Sequence, residues 1–392
     1  MRAIVTGLIA TYPVGGVVWD YGQYALGLER LGFEVYYLED TGWTAYDPGK
    51  GEYAEDYSYG VQFLQRSLAS LSPTLATRWH VRGMDGRSYG IPAATFEELV
   101  ASADLFLNVS GGSLLREAYL PCRRKVLIDT DPGWNHFVNY PKWDRQPGWH
   151  DSHGFRAHDY FFTYAERLGQ PDCPLPTFDL TWYPTRPPVI LDRWCAEPPG
   201  TSWTTVMTWD NFRRPIEYQG TMYGTKEMEF WRIEGLPSRT DAMFELAVGG
   251  SNAPRQRWGD LGWSVVDSHE VSTTAEVYRA YLQRSRGECS IAKNVYVATR
   301  CGWFSCRSIC YLASGRPVVV QDTGFSEFLP TGRGLLVFST PEEAIHAIET
   351  VESDYRTHQQ AARAVAEAHF GSDSVLAALL ERIGLAQVCR DR

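Results

Sequence analysis

Short apolar runs alternate with helical patterns from the first residues of the chain. Residues 3–9 are mostly apolar, which is typical of a buried parallel strand. Residues 21–31 place Tyr24, Leu28 and Leu31 at largely helical spacing, and Gly32 predicts the end of that helix. Residues 33–38 then predict a second strand. This order predicts a parallel sheet covered by helices.

The same alternation continues and then begins again after a proline-rich segment, 184–189, which predicts a linker. Strands are predicted at 105–109, 125–128, 204–208, 244–248, 264–266, 294–298, 317–320 and 335–338. Helices are predicted at 275–285 and 308–313, and Thr340-Pro341 predicts a further helix start. We therefore predict two α/β domains, residues 1–190 and 191–370. A C-terminal helix at 371–392 has the N-terminal domain as one expected packing partner.

Composition narrows the possible functions of these two domains. The 392 residues carry a net charge of −10 without a basic tail, which argues against nucleic-acid binding by counterion release. No apolar run approaches the roughly 18 residues of a membrane span. The first residues lack signal-peptide architecture, so a cytoplasmic location is expected. The eight cysteines form no zinc-binding spacing, and no metal ion is expected.

The segment between the first strand and the first helix is a candidate ligand loop. Gly15 and Gly16 would let the backbone approach a ligand, and the helix that follows favours an anion at its N-terminus. A tight turn capped by Asp20 explains the same residues. The segment is not the dinucleotide G-x-G-x-x-G pattern.

Residues 300–328 carry a stronger signal. They predict a loop, a short helix, a buried strand and a polar loop, which together suit a sugar diphosphate. Serine hydroxyls and helix N-terminal amides can bind phosphate, and arginines can add bidentate contacts. The candidate donor-binding residues here are Arg300, Ser305, Arg307 and Ser308, with Asp322, Thr323, Gly324 and Phe325 in the polar loop.

This segment resembles the nucleotide-sugar site of GT-B glycosyltransferases, with its pattern A-x-G-x-P-V-V-x-x-D-x-G-x-x-E. The matching residues are Ala313, Gly315, Pro317, Val318, Val319, Asp322, Gly324 and Glu327. Cys301-Gly302-Trp303 and Ser305 are similar to the C-G-W-N-S loop of inverting, plant-type members. The resemblance implies two Rossmann-like domains facing across a cleft. It also implies a UDP-, GDP- or dTDP-linked sugar as co-substrate and no further cofactor.

The chain departs from the family at its catalytic positions. The paired glutamates of retaining members align with Gly302 and Cys310, and the base histidine of inverting members aligns with Val17. The stereochemical outcome therefore stays open. Asp20, Asp131 and His136 are the candidate general bases, with Asp20 and Asp131 placed first because both are expected on strand-end loops.

A third group of candidates belongs to the C-terminal domain. GT-B enzymes neutralise the leaving diphosphate with a cation, and Lys293 or Arg214 could supply it. Glu288 could hold a ribose diol. Solvated surface charges explain these residues equally well.

The sequence thus predicts a metal-independent glycosyltransferase acting on a hydroxyl or amine of a small-molecule or glycan acceptor. Natural-product or glycoconjugate biosynthesis is the expected setting, and oligomers are possible. Two alternatives remain: a UDP-sugar epimerase of the same architecture, and a catalytically silent GT-B protein that binds a sugar or a partner.

Overall fold

A computed structural model describes residues 1–145, 148, 151–209 and 215–385. Its N-terminal half is built around a sheet of eight described strands, in the order β12-β11-β9-β7-β1-β2-β5-β6. All neighbours pair in parallel except β6, which is antiparallel to β5. The elements of this half are β1 (Arg2–Thr6), α1 (Gly15–Arg30), β2 (Glu34–Glu39), β3 (Ala45–Asp47), β4 (Glu52–Ala54), α2 (Ser58–Leu71), β5 (Trp79–Arg82), β6 (Ser88–Gly90), α3 (Ala93–Ala101), β7 (Leu105–Val109), β8 (Leu115–Arg116), β9 (Lys125–Asp129), α4 (Pro132–Trp134), α5 (Tyr140–Arg145), β10 (Ser152–His153), β11 (Tyr160–Thr163) and β12 (Trp182–Pro184).

The C-terminal half has a second sheet, whose described strands are all parallel in the order β17-β16-β13-β18-β19-β20. Its elements are β13 (Ser202–Thr208), β14 (Ile216–Tyr218), β15 (Thr221–Tyr223), α6 (Trp231–Glu234), β16 (Met243–Gly249), α7 (Arg255–Asp260), β17 (Ser264–Asp267), α8 (Ala275–Gln283), β18 (Gly287–Ser290), α9 (Asn294–Thr299), α10 (Cys306–Ala313), β19 (Val318–Gln321), β20 (Leu335–Phe338), α11 (Pro341–Ser353), α12 (Tyr355–His369) and α13 (Ser372–Arg382).

Both sheets are doubly wound around their first strand. In each half the chain moves outward on one side of that strand and then returns to its other side, at β7 in the N-terminal half and at β18 in the C-terminal half. Ligands of such sheets bind beyond the carboxyl ends of the strands, where the strand order reverses. The topology therefore directs attention to the segments that follow β1, β7, β13 and β18.

The two halves share one continuous hydrophobic core. Trp19 of α1 packs on Trp194 of the connecting segment with ring centroids 4.9 Å apart, and both side chains are buried. The chain returns beside that connection: the Val189 N–H donates to Phe370 and the Ser372 N–H donates to Val189. From there α13 lies against α1, where Leu376 packs on Gly27.

Several sequence predictions are confirmed and two are wrong. Thr340 caps α11 as predicted, and Ser305 caps α10. Residues 294–298, predicted as a strand, are helical in α9, and α1 begins at Gly15 rather than near residue 21. β11 and β12 of the N-terminal sheet were not predicted.

Candidate functional site

The N-terminus of α10 lies beside the reversal point of the C-terminal sheet. Ser305 is the N-cap, and its Oγ accepts a hydrogen bond from the Arg307 N–H at 3.2 Å. Ser308, one turn along the helix, is 1% exposed, and its Oγ has no hydrogen-bond partner among the described residues. A buried hydroxyl without a partner is unfavourable, so this position is suited to an incoming polar group.

Arg307 is held rigidly beneath this helix N-terminus. Its Nε donates to Glu288 Oε1 at 2.8 Å, its Nη1 to the Val206 carbonyl at 2.6 Å and its Nη2 to Ser290 Oγ at 2.9 Å. Val206 lies on β13 and Ser290 on β18, so the guanidinium sits where the strand order reverses. These contacts make Arg307 a fixed positive charge rather than the bidentate phosphate ligand that we predicted.

Glu288 is the counterion of that arginine, not an exposed ribose ligand. It is fully buried, and its Oε1 also accepts a hydrogen bond from Ser290 Oγ at 2.8 Å. Its Oε2 is buried without a partner in the described part of the chain. A ribose hydroxyl could therefore bind Glu288 only through Oε2. The predicted contact with both hydroxyls of a ribose diol is reduced to a contact through one carboxylate oxygen.

Lys226 is a site residue that the sequence analysis missed. It follows the hairpin formed by β14 and β15. Burial, together with the positive charges of Arg307 and Lys293, holds the pKa of Lys226 well below its usual range. The neighbouring Thr225 also has a buried Oγ1 without a partner among the described residues. The only sequence signal was a lysine in a segment rich in apolar residues, which does not identify a ligand.

Lys293, a predicted donor ligand, connects the two halves. It precedes α9, and its Nζ forms an ion pair with Asp131 Oδ2 at 2.6 Å. The other oxygen of Asp131 accepts a hydrogen bond from the Tyr296 hydroxyl at 2.5 Å. Asp131 does lie on the predicted strand-end loop after β9, but both of its oxygens are engaged by residues of the C-terminal half.

Asp20 approaches the same site from the N-terminal half. It lies on the second turn of α1, not on a strand-end loop as predicted. Burial raises the pKa of Asp20 to about 6, and a hydrogen bond from the Cys306 thiol and the charge of Arg307 offset part of that shift. A carboxylate with a pKa near neutral pH can take a proton during catalysis.

Gly15 and Gly16 serve the contact between the halves. The Gly15 N–H donates to the Ser272 carbonyl at 2.6 Å, and the Gly16 N–H donates to Ser272 Oγ at 3.2 Å. A Cβ on Gly15 would lie 2.1 Å from the Thr274 carbonyl oxygen. The predicted close approach is therefore made to the C-terminal half, and these amides are not free for a donor in this arrangement.

The predicted catalytic role of His136 is not supported. The side chain is fully buried, with Nε2 at 3.1 Å from Asp129 Oδ2 and Nδ1 at 2.7 Å from the Pro176 carbonyl oxygen. The rings of Tyr140, Phe178 and Trp182 surround it. His136 links β9 to the segment before β12 through these two contacts. Because it is buried, it cannot reach an acceptor.

The polar loop after β19 is occupied by its own contacts. Asp322 accepts hydrogen bonds from the Gly324 N–H and from Ser326 Oγ, and Thr323 Oγ1 donates to the Trp303 carbonyl. Gly324 has a φ of 96° and packs on Arg167, while Phe325 is buried against Phe304. Phe325 is therefore a core residue, which corrects its predicted donor role.

Two of the predicted donor-binding arginines are not placed at the α10 site. Arg300 is 55% exposed and pairs with Asp172 and Glu327, so it belongs to a surface ion cluster rather than to the α10 site. Arg214 lies outside the residues that the structure describes. In the part of the chain that is described, no helix has the length and apolar character needed to cross a membrane.

Comparisons with known proteins bear on the fold of the chain. Residues 232–381 match the family model described as glycosyl transferase-like. No curated protein matches the chain in sequence.

Solved structures confirm the predicted GT-B fold. HepE of Anabaena in complex with UDP and glucose superposes with a TM-score of 0.60 at 8% identity, over 98% of this chain and 100% of that chain. HepE in complex with UDP-glucose gives 0.56 at 9% identity, with the same coverage. AviGT4, a glycosyltransferase involved in avilamycin A biosynthesis, gives 0.51 at 12% identity over 97% of both chains. The two halves are thus arranged as in GT-B glycosyltransferases.

Proposed function

We propose that the protein is a metal-independent glycosyltransferase that moves a sugar from a nucleoside-diphosphate sugar to a hydroxyl or amine of a small-molecule or glycan acceptor. The observation that supports this most directly is that Arg307, in the first turn of α10, and Lys293 both act on Lys226 with positive charges that lower its pKa. These side chains come from three separate segments of the C-terminal half.

The charge arrangement suits a diphosphate leaving group. The depressed pKa of Lys226 means that its positive charge is costly in the unliganded protein, because burial and two other cations oppose it. A bound diphosphate would relieve that repulsion. It would also gain from the N-terminal end of α10 and from the hydroxyl of Ser308.

The chemical step follows from the same residues. The bond between the anomeric carbon and the diphosphate oxygen breaks, and a bond forms from that carbon to the acceptor oxygen or nitrogen. The cations stabilise the charge that develops on the diphosphate. Asp20 takes the proton of the acceptor, and its raised pKa fits that role. The stereochemistry at the anomeric carbon is left open by this assignment.

The donor is proposed to carry UDP, because HepE, with the same fold, is described in complexes with UDP and UDP-glucose. The acceptor enters from the N-terminal half, where α1 presents Asp20. A cytoplasmic role in natural-product or glycoconjugate biosynthesis is part of the proposal.

The donor site is tested by calorimetric titration of UDP, GDP and dTDP in the presence of EDTA. We expect saturable binding of UDP that EDTA leaves unchanged. Ser305→Ala/Ser308→Ala should weaken this binding, whereas Ser264→Ala, at an exposed position on β17, should leave it unchanged. A folded protein that binds none of the three nucleotides would overturn the proposal.

The chemical step is tested by turnover of UDP-sugars with and without an acceptor panel. Acceptor-dependent release of UDP together with a glycosylated product supports transfer. Interconversion of UDP-sugars without any acceptor would identify an epimerase. Tight UDP-sugar binding without either reaction would identify a silent binding protein.

A further inference from the structure

The ion pair between Asp131 and Lys293 joins the two halves of the protein at a position that borders solvent. Asp131 belongs to the N-terminal half and Lys293 to the C-terminal half, and Nζ lies 2.6 Å from Oδ2. The side chains are 31% and 14% exposed, so the pair borders solvent instead of being sealed in the core. Lys293 is also one of the two cations that depress the pKa of Lys226.

We propose that Asp131 neutralises Lys293 in the empty enzyme and is displaced from it by the diphosphate of the donor. This proposal rests on the function proposed above. Asp131 is then a positioning residue, because it acts on the donor through Lys293 and does not touch the reacting atoms. Its carboxylate makes the contact with Lys293 Nζ that the diphosphate later makes.

The carboxylate is held by a tyrosine as well as by Lys293. The Tyr296 hydroxyl holds its other oxygen at 2.5 Å, and Trp303 stacks on Tyr296 with ring centroids 4.3 Å apart. Trp303 Nε1 in turn donates to the Thr130 carbonyl at 3.0 Å, beside Asp131 in the chain. Lysine carries its ammonium on a flexible four-carbon chain, so Lys293 is the member of the pair that can move.

The competition also favours the diphosphate once the donor is present. A diphosphate carries more negative charge than one carboxylate and offers several acceptor oxygens. It would sit near Lys226 and Arg307 as well, whereas both oxygens of Asp131 are engaged by Lys293 and Tyr296. The ion pair therefore lowers the affinity for the donor without preventing binding.

If Asp131 and the diphosphate compete for Lys293, removing the Asp131 carboxylate should strengthen nucleotide binding, but only while Lys293 is present. The probe is UDP, titrated by calorimetry into the full-length protein. We expect Asp131→Asn to bind UDP about tenfold more tightly than the wild type, a change of about 1.4 kcal/mol. In a Lys293→Met background, Asp131→Asn should change UDP affinity by less than about twofold, since the two effects are coupled through one contact.

Asp20→Asn serves as the charge-matched control. Like Asp131→Asn it removes one negative charge, but that charge lies near Arg307 and is not paired with Lys293. Any effect of Asp20→Asn should be the same with and without Lys293→Met. Tyr296→Phe frees one oxygen of Asp131 without changing the charge, and it should tighten UDP binding by about twofold to threefold. This variant supplies the test if Asp131→Asn does not fold.

Three results would overturn the exchange while leaving the proposed function intact: unchanged UDP affinity in folded Asp131→Asn, weaker affinity in that variant, or equal tightening in both Lys293 backgrounds. A wild type that binds no nucleotide would overturn both proposals. The two failures are thus distinguished by the wild-type titration.

Discussion

The N-termini of α1 and α10 invite comparison because both were predicted to bind the donor. The first amides of a helix have no partner within that helix, so each N-terminus must find other partners for them. At α1, the N–H groups of Gly15 and Gly16 are taken by Ser272 of the other half. At α10, Ser308 Oγ lacks a partner among the residues described, and three cations lie nearby. The N-terminus of α1 thus forms a contact between the two halves, whereas the N-terminus of α10 is suited to bind a ligand.

This difference shows which information separates a ligand site from an interface. Both N-termini carry the positive end of a helix dipole. The discriminating observations are the polar atoms left without partners and the positive charge that burial opposes. Both depend on residues far away in the sequence.

The largest effect is expected for Asp20→Asn, which removes the proposed base from α1. We expect kcat to fall by about 10²- to 10⁴-fold, the usual contribution of general base catalysis. In the wild type, kcat/KM should fall about tenfold per pH unit below pH 6, because Asp20 takes up a proton as the pH falls through its pKa of about 6. The pH profile of the variant should lack this acidic limb.

Stability provides the control for Asp20. Because its folded pKa of about 6 exceeds the ordinary 3.8, ionised Asp20 destabilises the fold. The stability associated with its protonated form is fully present below about pH 4 and is lost as the pH rises through 6. The Tm of Asp20→Asn at pH 7.5 should therefore equal or exceed that of the wild type. A lower Tm would mean that lost activity reflects damage to the fold.

Lys226→Met tests the α10 site directly and should have the second largest effect. Removing a charge that stabilises a leaving group typically lowers kcat by about 10²- to 10³-fold. Initial-rate kinetics with a UDP-sugar would measure this, with Lys226→Arg as the charge-conserving control. If Lys226→Met retained full activity, the cation cluster would not be the diphosphate site.

Gly15→Ala tests the interface role of the α1 N-terminus. The added Cβ would meet the Thr274 carbonyl oxygen at 2.1 Å, so the two halves must move apart. We expect a loss of about tenfold in kcat/KM, because catalysis depends on the alignment of Asp20 with the α10 site. Gly16→Ala is the matched control, since its Cβ would lie 3.3 Å from the Tyr278 ring. Equal activity in both variants would contradict the tight interface.

The sequence predicts the general fold well because its signals are local. The buried strands β7 and β20 match their predicted bounds, and Ser305 caps α10 through contacts within one turn. Residues 294–298 were predicted as a strand, yet this segment is helical in α9, where Val295, Tyr296 and Thr299 are buried. Tertiary packing overrode the local β preference there.

The candidate site was only partly predictable. Lys293, Ser308 and Asp20 were named from motifs and loops, but their partners come from distant segments. Lys226 became recognisable only through the charges of Arg307 and Lys293 around it. Asp322 matches the family pattern and Phe325 lies within the same loop, yet their side chains are engaged in the loop and in the core. A pattern of residue types does not reveal which of them already have partners.

The smallest effect, and the sharpest test of the comparison, is expected from two serines. Ser308→Ala removes the unpartnered hydroxyl at α10, and a single neutral hydrogen bond is worth about 1 kcal/mol, so UDP affinity should fall about fivefold. Ser272→Ala removes the hydroxyl that accepts from Gly16 at α1, so the Tm should fall while UDP affinity stays unchanged. Calorimetry and thermal melts of both variants measure the two effects. Equal weakening of UDP binding in both would place the α1 N-terminus in the donor site and remove the distinction between the helices.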